Sequence, residues 1–301
     1  MGRRSGTFAA AMQYWGLMLA YGLLGCAPLW FAKRLARVLA DLVRVIDSRH
    51  ALRVEAAAKD RLGLDAAGAK RLAKENYRHY AYTAMEILRL ARMPDEAALT
   101  RIRFGDGLDA VRSAKSEGRG IMLLTGHMGN WEWCGFTAGR YRLAEGVVAR
   151  PLNNPRLDAF LRRIRERAGF EVWSKFGAIR RLFKTLSRGG GAGALVDQDG
   201  GPRGLPGFFL GRSCTTMSLP VEVAVKAGAP LVVGGVFRDR EPMRFVVRLK
   251  RVRRPDPAAD AEAEVRRLTQ AVNDDLGDLI REFPEQWIWT HQRWRHGRSE
   301  R

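Results

Sequence analysis

Residues 120–133 read GIMLLTGHMGNWEW, and the way this stretch divides decides the fold. Were it one helix, His127 and Glu132 would stand five steps of about 100° apart, roughly 140° around the axis, and would share no face. The alternative is a break. Ile121 to Thr125 is an unbroken apolar run that reads as a buried strand, His127 falls in the turn beyond it, and a helix opens at Trp131. The glutamate can then fold back towards the imidazole. A carboxylate on one ring nitrogen fixes the tautomer and leaves the other nitrogen free to take a proton from a hydroxyl or amine.

The same alternation continues outward. Short apolar runs recur as VVA at 147, FEVW at 170, AGALV at 192, PLVVGGVF at 230 and RFVVRL at 244. Helical periodicity fills 131–140, 155–168, 178–187, 218–227 and 258–283, with GGG at 189–191 as a turn between helix and strand. Strands spaced by helices predict an α/β fold with a mixed, largely parallel sheet flanked by helices. Ahead of it, 35–46 and 66–90 carry helix-period apolar residues among charges, a helical preface to one catalytic domain over 35–301.

Residues 8–32 contain no charge and are bounded by Arg3 and Arg4 before and Lys33, Arg34 and Arg37 after. Such a segment is long enough to span a bilayer, while Gln13, several glycines and Pro28 weaken the span, so that a helix lying in or dipping into one leaflet competes closely with it. Either way 1–34 is expected to be a membrane-associated anchor. The string LLGC ending at Cys26 is set aside as a lipoprotein site because Leu24 is bulky beside the cleavage position.

Lys plus Arg outnumber Asp plus Glu by 52 to 32, a formal net charge of +20, so the partner is expected to be anionic. Nucleic acid, a phosphorylated lipid, an acidic carrier protein and an anionic membrane all fit that charge. Helix-turn-helix, RNA-recognition and zinc-finger patterns are missing, which weakens the non-catalytic rival of a basic nucleic-acid or membrane binder. The three cysteines, Cys26, Cys134 and Cys214, lack metal or disulfide spacing, and Cys134 reads as a small core residue. No GxSxG nucleophile appears, so direct attack by the acceptor, assisted by His127, is favoured over a covalent intermediate.

Arg150 follows the strand VVA and is a candidate for charge stabilisation or phosphate binding, against the plainer reading of a surface arginine. Asp197 and Asp199 follow the strand AGALV, where ligands gather at the carboxyl ends of parallel strands. One such pair is a thin set for magnesium, so no metal is expected, and orientation of the site loops against Arg212 is preferred. The basic run from Arg156 to Arg188 reads equally as a solvated helix face and as a surface for lipid phosphates or an acidic carrier. Trp287, Trp289 and Trp294 alternate with polar residues, as in a packed terminal strand or an interfacial belt.

GHMGNWE at 126–132 resembles the HX4(D/E) motif of the lysophospholipid and lipid A acyltransferases. RPLNNPRLD at 150–158, DQD at 197–199, FFLGR at 208–212, the Thr215 to Pro220 segment and PEQWIWTHQRW at 284–294 then follow in the order of the lipid A late acyltransferases. The likeness covers nearly the whole chain. It implies a glycerolipid-acyltransferase-like fold, an acyl-carrier-protein or coenzyme A thioester as donor and an anionic saccharolipid such as a lipid A precursor as acceptor. It implies no cofactor and a site on the cytoplasmic face of the inner membrane. His127 would be the general base and Glu132 its orienting partner, with Asn130, Arg150, Asp197, Asp199 and Arg212 binding substrate. A related branch acylates mannosylated phosphatidylinositol with the same pair and is the rival acceptor reading, alongside other glycerolipids. FFLG stands where the family commonly has FFG, and Leu219 where it has glycine before the proline, so the acceptor or donor pocket departs from the pattern.

Overall fold

All six apolar runs become strands of one sheet. The computed structural model describes residues 7–149, 151–174 and 177–297, without the side chains of 7–10. The strands are β1 (Ile102–Phe104), β2 (Ile121–Thr125), β3 (Gly146–Ala149), β4 (Glu171–Ser174), β5 (Gly191–Leu195), β8 (Leu231–Arg238) and β9 (Phe245–Leu249), in the order β1-β9-β8-β2-β5-β3-β4. Only β8 and β9 run antiparallel to each other; the other neighbours are parallel. The central strands β2, β5 and β8 are largely apolar because helices cover both faces, and every residue of β8 is buried.

One face is covered by α7 (Trp131–Arg140) and α8 (Pro155–Arg167), where Trp133, Phe136 and Ile164 pack with Val236 and Phe245. The other is covered by α9 (Ala178–Ser187), α10 (Leu219–Ala227) and α11 (Ala261–Glu282), where Leu182, Ala224 and Leu276 meet Met122, Leu124 and Val233. Alternate residues of β2 thus serve two cores, Leu124 one and Leu123 the other. A hairpin of β6 (Leu205–Phe209) and β7 (Arg212–Thr216), turning through Leu210 and Gly211 at positive φ, lies outside the main sheet. The sequence pattern misses that hairpin and the three-residue β1. It also misses α3 (Ser48–Leu62), α5 (Asp95–Leu99) and α6 (Leu108–Ser116).

The uncharged N-terminal stretch is not one helix. Pro28 ends α1 (Thr7–Cys26) and opens α2 (Leu29–Ile46), since the residue before a proline is pushed out of helical geometry. Among the described residues no helix is long and apolar enough to cross a membrane. Both helices pack on α4 (Ala66–Leu90): the Arg89 guanidinium donates to the carbonyls of Leu24 and Ala27, and Leu24, Ala32, Met85 and Leu88 share one cluster. α2 turns Ala32, Ala36 and Ala40 inward at a spacing of four and leaves Trp30, Val38, Leu42, Val45 and Ile46 exposed.

Candidate active site

Parallel pairing of β2 with β5 sets Thr125 opposite Leu195, and each chain runs two residues further before its functional side chain. His127 and Asp197 therefore emerge side by side at the carboxyl end of the sheet. The imidazole Nδ1 lies 2.9 Å from Asp197 Oδ1, and the His127 backbone N–H donates to Oδ2 at 2.7 Å. The Trp287 indole N–H donates to Oδ2 at 2.9 Å. Asp197 is fully buried, and these bonds hold it ionised, so Nδ1 carries the proton. Nε2 has no protein partner among the described residues, and the imidazole retains 25% of its exposure.

Gly126 is required by this approach: a Cβ there would sit 2.8 Å from the Asp197 side chain. Gly129 adopts φ +55, and a Cβ on it would meet the Val236 carbonyl at 2.2 Å. The loop is tied further by Gly129 N–H to the Gln286 carbonyl at 2.7 Å and Ile288 N–H to the His127 carbonyl at 3.1 Å. The Trp131 ring stands edge-on to the imidazole with centroids 5.5 Å apart.

Burial opposes charge on the imidazole, but the Asp197 hydrogen bond and charge, helped by Glu132, outweigh it and raise the His127 pKa above its ordinary value. Burial likewise opposes charge on Asp197, and its hydrogen bonds from His127 and Trp287 prevail, so its pKa is lowered. The imidazole is a strengthened base with a fixed tautomer, and its other nitrogen is left without a protein partner among the described residues.

The orienting carboxylate is Asp197, not the expected Glu132. Both Glu132 oxygens are taken by Arg165 of α8, at 2.7 Å from Nε and 2.5 Å from a terminal nitrogen. Glu132 points from the first turn of α7 into the interface with α8, which ties the two helices together and leaves its charge to act on His127 through space. Asn130 is fully buried and does not face substrate space. Its amide oxygen caps α7 at Trp133 N–H, and its amide nitrogen donates to Glu86 at 3.0 Å. Glu86 also holds the buried Arg238 guanidinium through two bonds of 2.7 Å. Asp199 bonds Thr215 and His296, and Arg212 lies on the surface against Asp60, so the expected contact of the aspartates with Arg212 is not made. Arg150 lies outside the described residues. Among the described residues no group of three metal-ligating side chains forms.

The sequence reading missed Arg165, buried in a long basic run, and Trp287, read as packing or as a belt. Neither carries a local signal, because each meets the site through tertiary structure. A family model described as bacterial lipid A biosynthesis acyltransferase matches residues 6–296. A phosphatidylinositol mannoside acyltransferase of Mycobacterium tuberculosis strain H37Rv is 28% identical over 199 residues, covering 64% of this chain and 60% of that protein. Its counterpart in strain CDC 1551 is 27% identical over 221 residues, covering 71% and 67%. That of Mycolicibacterium smegmatis is 25% identical over 207 residues, covering 65% and 66%. The chain thus spans about three fifths to two thirds of the length of these curated relatives.

Proposed function

The chain belongs to the bacterial lipid A biosynthesis acyltransferase family, and from that premise we propose that it moves a fatty acyl chain from an acyl thioester to a hydroxyl of an anionic glycolipid. The observation that carries this reading is the His127 Nε2, without a protein partner among the described residues, on a partly exposed ring whose other nitrogen is held by buried Asp197. Nε2 takes the proton of the acceptor hydroxyl as its oxygen attacks the thioester carbonyl. The tetrahedral intermediate collapses, the carbon–sulfur bond breaks, and the imidazolium returns its proton to the leaving thiolate. Asp197 stabilises the imidazolium between the two transfers. The first amides of α7 and Arg150 are the candidates for the developing oxyanion.

The acceptor reading we favour is a lipid A precursor, with acyl-carrier-protein or coenzyme A as the donor's carrier. A second reading, a phosphatidylinositol mannoside, is supported by the acceptor that names the three mycobacterial relatives. Both acceptors are phosphate-bearing glycolipids and suit a chain of net charge +20. The exposed apolar residues of α2 among Lys33, Arg34, Arg37 and Arg44 support a place on an anionic membrane surface, which we assign to the cytoplasmic face of the inner membrane.

The test is product mass. Detergent-purified protein is incubated with acyl-carrier-protein or coenzyme A thioesters and, in parallel, a lipid A precursor or a phosphatidylinositol mannoside. One added acyl chain in wild type, absent in a folded His127→Ala variant, is expected. Equal product from wild type and variant would remove His127 from the chemistry, and transfer to the mannoside alone would replace the favoured acceptor.

A further inference from the structure

Asp197 divides one negative charge among three N–H donors. Oδ1 receives the imidazole, and Oδ2 receives the His127 backbone and the Trp287 indole. Among the described residues, His127 and Trp287 are its only hydrogen-bonding residues. Trp287 has little freedom to leave. It is fully buried, forms a β-bridge with Met128 and packs against the rings of Phe209, Trp289 and Trp294.

We propose that Trp287 is a positioning residue that moderates the base strength of His127 by drawing part of the Asp197 charge to its indole N–H. The inference rests on the proposed general-base role of His127. Other charged or titratable groups surround the pair: Glu132 of α7, Tyr80 of α4, and His291 and Arg293 of the C-terminal segment. These act on Asp197 or His127 through space, and none donates a hydrogen bond to Asp197. The indole does not titrate, so its pull on the carboxylate is constant across pH. With that N–H gone, Asp197 offers more of its charge to the imidazole and favours the protonated ring.

The test compares wild type with Trp287→Phe and with a variant carrying 3-benzothienylalanine at 287, which exchanges N–H for sulfur and keeps the bicyclic shape. The titration midpoint of His127 is read by NMR on protein with isotope-labelled histidine, assigned with His127→Gln, and the acid limb of kcat/KM is read in parallel. A hydrogen bond to a charged carboxylate is worth roughly one pKa unit, of which part reaches the imidazole, so a rise of about half a pH unit is expected. Below the midpoint, kcat/KM then falls about threefold. A midpoint that stays in place or falls in the benzothienyl variant overturns the proposal and leaves Trp287 as packing. The NMR titration needs no substrate, so failure of wild type to transfer acyl groups would count against the proposed reaction while the midpoint still judged Trp287.

Discussion

Asp197→Asn keeps the shape of the side chain and removes one acceptor, leaving the amide two ways to sit among its three donors. Its oxygen can take either carboxylate position. Placed at Oδ2, it satisfies the His127 backbone N–H and the Trp287 indole, but the amide NH2 then faces Nδ1, which must become an acceptor. The ring proton moves to Nε2, the nitrogen that has to act as the base. Placed at Oδ1, the oxygen supports the productive tautomer and turns NH2 against two buried N–H groups, each costing about 1–3 kcal/mol when stranded. The first arrangement is therefore preferred by about 3 kcal/mol, and losing the charge that stabilises the imidazolium adds at least about 1.4 kcal/mol, one pKa unit. Together these predict a fall in kcat of about a thousandfold. The assay is initial-rate acyl transfer by product mass, with circular dichroism to confirm folding. In wild type the general base must be neutral, so activity rises with pH through the elevated His127 pKa. In the variant any residual activity rises at lower pH, because the group that raised that pKa is gone. A folded variant within tenfold of wild type would refute the reasoning.

Glu132→Gln leaves the Arg165 guanidinium unpaired in a largely buried place and is expected to cost about 3 kcal/mol in denaturant unfolding. Glu132→Gln with Arg165→Met should recover much of that loss, and purely additive losses would mean that the pair does not act as a unit. Gly126→Ala drives a methyl group to 2.8 Å from the Asp197 side chain, so the dyad must open. A loss of about a hundredfold in kcat is expected for such a misplacement, and an unchanged rate would show that the contact yields without cost.

Six of the seven strands of the sheet are legible because each is a short apolar run, most of them set between helical repeats, and both signals are local, whereas the three-residue β1 carries Arg103 and gives no such run. The hairpin of β6 and β7 was hidden because Pro206 and Gly207 read as loop and its pairing depends on a positive-φ turn at Leu210 and Gly211. His127 was legible from its place after β2. Its partner was not, because Glu132 is near in sequence whereas Asp197, seventy residues away, is brought near by the neighbouring strand. Asp197 stands out at a strand end, yet sequence spacing does not tell a substrate contact from a buried carboxylate held by two protein partners. Arg165 shares its composition with the arginines around it, and only packing of α8 against α7 separates it from them.

On the proposed seating at a membrane surface, the exposed apolar row of α2, set against its inward alanines, changes what concentration means. An enzyme seated by that row meets its acceptor as a two-dimensional solute. Once it is adsorbed, diluting the vesicles leaves the rate per enzyme unchanged, while diluting the acceptor among inert lipids slows it. The kinetic constants of an enzyme so seated are surface densities rather than molarities.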